Sequence, residues 1–303
     1  MFHDRDLDSV LTIVKHAASL EIRPRFRRLI EGEVEEKKSS IDLVTQADLL
    51  SEKHMTEALQ ARWPHALVVG EEAAETDRSL IDKLKQADLA FVIDPVDGTF
   101  NFQAGLPIYG TNMAVVVKGE TVAGIIHDSV LGDTLVASKG SGARFLREDG
   151  SVNPIAVAAP ADLSMMVGTI SINDLAYEER RRVAGNLAKT KMAFAYNCSA
   201  YEYWLVATGK VHFIGHYKLY PWDHLAGVLI HQEAGGFTAR FDGSPYKPGD
   251  LTGGILSSCR IIPGYRGWTR RNDKSRDGAL YRQLRNTHEP TATSLQCYTS
   301  LQI

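Results

Sequence analysis

Phe91-Val-Ile-Asp94-Pro-Val-Asp97-Gly98-Thr99-Phe-Asn101-Phe102 is the stretch on which the reading of the chain turns. The apolar, β-prone run Leu89 to Ile93 predicts a buried strand. Two carboxylates three residues apart follow it. Pro95 between them fixes φ and removes a donor, so the strand is expected to stop there. Gly98 leaves the backbone bare, and Thr99 brings a hydroxyl and a peptide N–H that opens a helical turn. Two acids, a glycine and a helix start at one strand end predict a metal site facing a phosphate site. An ordinary turn accounts for one Asp-Gly. It does not account for a second aspartate on the strand end or for the hydroxyl after the glycine.

Composition sets the bounds. The chain has 303 residues, 44% hydrophobic and 23% charged, which suits a soluble globular protein of one large or two ordinary domains. No apolar run approaches the ~18 residues of a membrane span, and the acidic start Met1-Phe-His-Asp-Arg-Asp is unlike a signal peptide. Cys198, Cys259 and Cys297 are scattered and lack metal spacing, as cytosolic thiols would be. A cytoplasmic location is expected. Net charge is −3, so no basic field recruits nucleic acid. A phosphate ligand would need cations, which carboxylates can hold.

Around the central stretch, residues 7–30 show helical spacing, 31–40 a polar loop or hairpin, and 41–45 an extended run. A helix follows, capped by Thr45 or Asp48, with Leu49, Leu50, Met55 and Leu59 on its buried face. His65–Val69 reads as a strand ending in Glu71-Glu72, and Ser79–Lys85 as a short helix. A hairpin over 114–126 continues as a meander to Leu146. The first part, 1–152, is therefore expected to be an α+β unit with an antiparallel sheet. From 153 to 256 helices alternate with strands, including a helix over Glu202–Ala207 and another over Trp222–Glu233, as in an α/β unit. The remainder, 257–303, reads as an atypical basic tail, with seven Arg/Lys against three Asp/Glu from Arg266 onward.

More acids fall where strands end or helices begin. Asp48 follows Val44-Thr45, Glu71-Glu72 follows a strand, and Asp223 opens a helix after Pro221-Trp222. Each alone could be an N-cap or a solvated pair; their joint pattern is what suggests one site. The combination of Leu43-Val44-Thr45-x-x-Asp48, Gly70-Glu71-Glu72, Asp94-Pro-Val-Asp97-Gly98-Thr99, and Trp222-Asp223-x-x-Ala226-Gly227 with Glu233-Ala-Gly-Gly236 resembles the inositol monophosphatase family over roughly residues 7–255.

That resemblance implies a layered αβαβα sandwich and a Mg²⁺-dependent, Li⁺-inhibited phosphatase holding two to three ions, commonly a homodimer. Carried over by position, Glu71, Asp94 and the carbonyl of Val96 bind a first Mg²⁺, and Asp94, Asp97 and Asp223 a second. Asp48 and Thr99 orient the attacking water, with Glu71 also counted as catalytic. Asp97, Gly98, Thr99, Ser199, His216 and Asp223 contact the substrate, and Lys38, with Lys37 beside it, matches a lysine near the site. The expected reaction is hydrolysis of a small-molecule phosphate monoester by metal-activated water. The substrate would be an inositol phosphate, a sugar phosphate or a bisphosphorylated metabolite, with no nucleic acid or membrane partner. A non-catalytic or moonlighting interaction module is the alternative.

Two positions depart from the family pattern. His216 stands where inositol-specific members have a glutamate, and with Lys218 nearby it suggests a cation for a more anionic leaving group. Asn197-Cys198-Ser199-Ala200 replaces Gly-Ser-Ala.

Overall fold

The computed structural model describes residues 2–30, 32–39, 42–173 and 175–259. The chain begins with α1 (Asp4–Ala17), which runs through a π turn to Ile22 and ends at a 3-10 turn containing Pro24. It buries Leu7, Val10, Val14, Ala17, Ala18 and Ile22. β1 (Val34–Ser39) and β2 (Asp42–Thr45) form an antiparallel pair. Thr45 then caps α2 (Gln46–Arg62), accepting the Ala47 N–H at 3.2 Å while Asp48 Oδ2 accepts the Thr45 N–H at 2.8 Å. The buried face of α2 corrects the expected one: Met55 and Leu59 are buried, but Leu49 is 40% exposed. Ala47, Asp48, Ser51 and Glu52 take the inner face instead.

β3 (Leu67–Gly70), α3 (Glu71–Thr76) and α4 (Ser79–Leu84) lead into β4 (Ala90–Asp97). All eight residues of β4 are buried. β4 pairs parallel to β3 and antiparallel to β5 (Gly110–Val117), which follows the short α5 (Thr99–Gln103). The expectation that Pro95 stops the strand is corrected here. The ladder continues to Asp97↔Gly110, with its register shifting between Asp94 and Asp97. A proline has no N–H for the ladder, so it is tolerated at an irregularity, and that irregularity re-aims both aspartates. Thr111 Oγ1 donates to the Pro95 carbonyl at 2.8 Å.

β6 (Glu120–His127), β7 (Thr134–Ser138), β8 (Ala143–Leu146) and β9 (Val152–Pro154) complete the first sheet, of order β3-β4-β5-β6-β7-β8-β9. The later elements are β10 (Val167–Ile170), α6 (Tyr177–Leu187), β11 (Met192–Phe194), α7 (Ser199–Ala207), β12 (Phe213–His216), α8 (Pro221–Glu233), β13 (Phe237–Arg240) and β14 (Ile255–Ser258). Their strands form the second sheet, β11-β10-β12-β14-β13. The helix expected to start at Glu202 begins three residues earlier, at Ser199.

Alternation along β4 explains the layers. Phe91 and Ile93 face one side and pack with Leu7, Val10, Val14, Met55 and Leu59 of α1 and α2. Ala90 and Val92 face the other side and meet Trp222, Leu225 and Ala226 of α8. Tyr203 and Val206 of α7 and Val228 and Ile230 of α8 also contact Leu135 and Ala137 of the first sheet and Ile214 and Ile255 of the second. Val183 and Leu187 of α6 cover the outer face of the second sheet. The result is an αβαβα sandwich whose middle helical layer is built from the later half of the sequence. The tail expected over 257–303 lies outside the described residues from 260 onward. No helix among the described residues is long and apolar enough to cross a membrane.

Candidate active site

The site gathers where β3 and β4 end and α5, α7 and α8 begin. Asp94, 1% exposed, lies at the irregular end of β4, and its buried Oδ1 has no hydrogen-bond partner. Ligand oxygens of Asp94, Asp97 and Asp223 all lie within 4.8 Å of one another. Burial pushes Asp94 well above the usual carboxylate range, and the charges of Glu71, Asp97, Asp223 and Asp48 add to it. Asp223, in the first turn of α8, is pushed up to about 8 by burial and by Asp97.

Asp97 is tied to the start of α7. Its carboxylate accepts the Ser199 N–H at 3.1 Å, the Ser199 hydroxyl at 2.6 Å, Asn112 Nδ2 at 3.1 Å and the Ala200 N–H. An anion at a helix N-terminus is favoured by the exposed amides there. Burial still raises Asp97, against these bonds. Ser199 Oγ also lies 2.8 Å from the Asp223 carbonyl, so it links three segments. Asn197, just upstream, adopts φ 52°, a left-handed conformation that asparagine tolerates.

Gly98 turns the chain from β4 into α5 at φ 92°. A Cβ there would lie 2.9 Å from the Ile108 carbonyl. Gly98→Ala is therefore expected to cost about 1–3 kcal/mol, read as a lower urea midpoint with an unchanged slope. Thr99 Oγ1 lies 3.0 Å from the Val96 carbonyl and 3.3 Å from Asp48 Oδ1, and its single proton can go to either. Asp48 is pushed up to about 6 by burial, against the hydrogen bonds from Thr45.

Glu71 begins α3. After burial, its charge contributes most to raising Asp94. Its Oε1 is ion-paired to Lys37 Nζ at 3.2 Å, and the same ammonium reaches Glu72 at 2.6 Å and Glu75 at 3.4 Å. Burial works against the Lys37 charge, but the three glutamates outweigh it and hold its pKa above the usual lysine value. The Lys38 side chain lies outside the described residues.

A cleft of about 200 Å³ opens beside this cluster, lined by Asp97, Ser199, Glu202, His216, Lys218 and Asp223 among others. His216 does not supply the expected cation. Its side chain is only 11% exposed, stacked at 5.7 Å on Tyr203 and 4.7 Å from His224. Burial and His224 hold its pKa well below the usual histidine value, so it is neutral at pH 7. Its Nε2 lies 3.5 Å from Glu202 Oε2 without a hydrogen bond.

The sequence reasoning missed Glu52, Asn112 and Glu202. Each carried a signal. Glu52 follows Asp48 by one helical turn, and Asn112 interrupts an apolar strand. Glu202 is an acid at the third position after Ser199.

The model of the inositol monophosphatase family matches residues 4–278. The chain belongs to that family. The match runs past residue 255, to which the resemblance was expected to extend. A fructose-1,6-bisphosphatase/inositol-1-monophosphatase of Thermotoga maritima is 32% identical over 217 residues, 69% of this chain and 76% of the relative. Nus factor SuhB of Escherichia coli K12 is 29% identical, covering 73% of this chain and 79% of the relative. Among solved structures, the Thermotoga maritima IMPase superposes with a TM-score of 0.69 at 28% identity, covering 84% of this chain and 92% of that one.

The site's own chemistry fits a divalent cation. Three converging carboxylates, one with an unpartnered buried oxygen, repel one another and suit a hard ion that prefers oxygen ligands. The sum of negative charge, rather than any single acid, makes the case.

Proposed function

We propose that the protein is a Mg²⁺-dependent phosphatase that hydrolyses a small-molecule phosphate monoester by direct attack of water. The observation that carries this reading is the convergence of Asp94, Asp97 and Asp223 beside the Gly98–Thr99 turn. Glu71, Asp94, the Val96 carbonyl, Asp97 and Asp223 are the groups that would hold the ions. When bound, such ions supply a nucleophile from water at neutral pH and neutralise charge on the leaving oxygen.

The chain's own groups do the rest. The peptide N–H groups of Gly98 and Thr99, at the opening turn of α5, hold the phosphate oxygens. The Thr99 hydroxyl and Asp48 carboxylate, 3.3 Å apart, orient the attacking water, and Asp48 is poised to take up a proton. Ser199 keeps Asp97 in place from the start of α7. No serine, cysteine or histidine nucleophile is needed, so no phosphoenzyme forms.

Inositol phosphates, sugar phosphates and bisphosphorylated metabolites remain the substrate classes, in keeping with the name of the Thermotoga relative. A second anionic group on the leaving side would be met by Lys218, since His216 carries no charge. Phosphate release from a panel of these compounds, with and without Mg²⁺, tests the reading. Release that needs Mg²⁺ and is suppressed by Li⁺ is expected. The relatives named Nus factor SuhB favour a second reading, a partner-binding module on the same fold. Absence of release across the panel, at any Mg²⁺ concentration, would leave that reading standing.

A further inference from the structure

Glu52 is 7% exposed, and none of the roles above uses it. It sits one turn beyond Asp48 on the same face of α2. Its Oε2 accepts the N–H of Glu72 at 2.9 Å and its Oε1 accepts the N–H of Ala73 at 3.0 Å. Both peptides belong to the first turn of α3, whose opening residue is Glu71. A helix start commonly takes such acceptors from the side chain of the residue before it. Here that residue is Gly70, which has none. A Cβ on Gly70 would lie 2.1 Å from Glu52 Cδ, so the carboxylate fills the space a local cap would use. One rigid helix thus carries Asp48, which meets the Thr99 hydroxyl, and Glu52, which holds the peptides next to Glu71. The Glu71 side chain meanwhile rests on Lys37 from the β1–β2 pair.

We infer that Glu52 is a positioning residue for Glu71: by anchoring the first turn of α3 it aims the Glu71 carboxylate at Asp94 and Asp223, and divalent-ion affinity depends on it. This rests on the divalent-ion reading of the site. Partners one step removed from metal ligands typically account for 10–100-fold in affinity. In Glu52→Gln the carboxamide keeps one acceptor and turns an NH₂ toward the other peptide N–H.

The test is Mg²⁺ titration calorimetry on the full chain without substrate, beside urea unfolding of each variant. Glu52→Gln is expected to raise the Mg²⁺ dissociation constant about tenfold or more. Glu52→Ala should weaken binding further, and Glu52→Ala/Gly70→Ser, which puts a capping hydroxyl into the vacated space, should recover part of the loss. That recovery separates positioning from the charge of Glu52 itself. Lower stability with unchanged Mg²⁺ affinity in Glu52→Gln would overturn the inference and leave a plain helix cap. A double variant that folds yet binds as weakly as Glu52→Ala would also overturn it. If Glu52→Ala does not fold, Glu52→Gln decides alone. A wild-type chain that binds no divalent ion would overturn the site reading itself, and the inference with it.

Discussion

Asp94→Asn abolishes turnover and leaves the fold intact: that is the expected result with the largest effect. Asp94 is the one member of the cluster with an unpartnered buried oxygen, and every neighbouring charge that raises its pKa is negative. Asparagine keeps the shape, so the metal-free chain loses no packing, but it cannot become the carboxylate ligand that an ion needs. Groups one step from a metal cost up to about a hundredfold, so a direct ligand should cost more than about a hundredfold. The check is phosphate release at saturating Mg²⁺ beside thermal unfolding with and without chelator. The wild-type chain should gain about 2.7 kcal/mol at an ion concentration one hundred times its dissociation constant, and the variant little or none. Turnover within a few-fold of wild type would remove Asp94 from the ion site.

The second large effect concerns pH. In the metal-free chain, burial raises Glu72 to about 7 and Asp223 to about 8, and holds Glu71 and Asp94 well above the usual range. An acid with a raised folded pKa keeps its proton when folded and gives it up when unfolded. Its stabilising contribution is complete below the unfolded pKa of about 4 and is lost as pH climbs through the folded value. Buried histidines pull the other way. His127 and His224 are held near 4 and His231 near 3, so unfolding takes up protons there, but only below the ordinary histidine pKa of about 6.5. Above it the acids act without opposition. Chelated protein should therefore lose stability from about pH 6.5 to 8.5, as the coupled acids give up their protons together. Mg²⁺ should abolish the decline and release protons on binding. Melting curves in chelator across that range, with calorimetry in buffers of different ionisation enthalpy, measure both. A metal-free melting temperature that rises over this window would contradict the account.

Glu52 adds a third element to this picture. The acids that face the cluster are held by acids and amides that do not, so the polar inner face of α2 is part of the site's construction. That is why Leu49 is outside and Glu52 inside.

Much of the architecture was legible because it depends on local chemistry. The apolar run before Asp94 forms a strand whichever sheet receives it. Thr45 and Asp48 cap α2 through atoms within three residues of each other. Gly98 is required by its own positive φ. The strands β13 and β14, four residues each, went unread.

What the sequence by itself determined is the set of groups and their order: two aspartates about a proline, a bare glycine with a hydroxyl behind it, and acids at three other element ends. Only the tertiary structure decided which of them meet and what charge each carries. It let the ladder run past Pro95, left His216 neutral, placed Lys37 on Glu71 and turned Glu52 toward the peptides of α3. Those outcomes depend on burial and on neighbours dozens of residues away in the chain, and a proton's free energy in such a place is set by its surroundings, not by the residue that carries it.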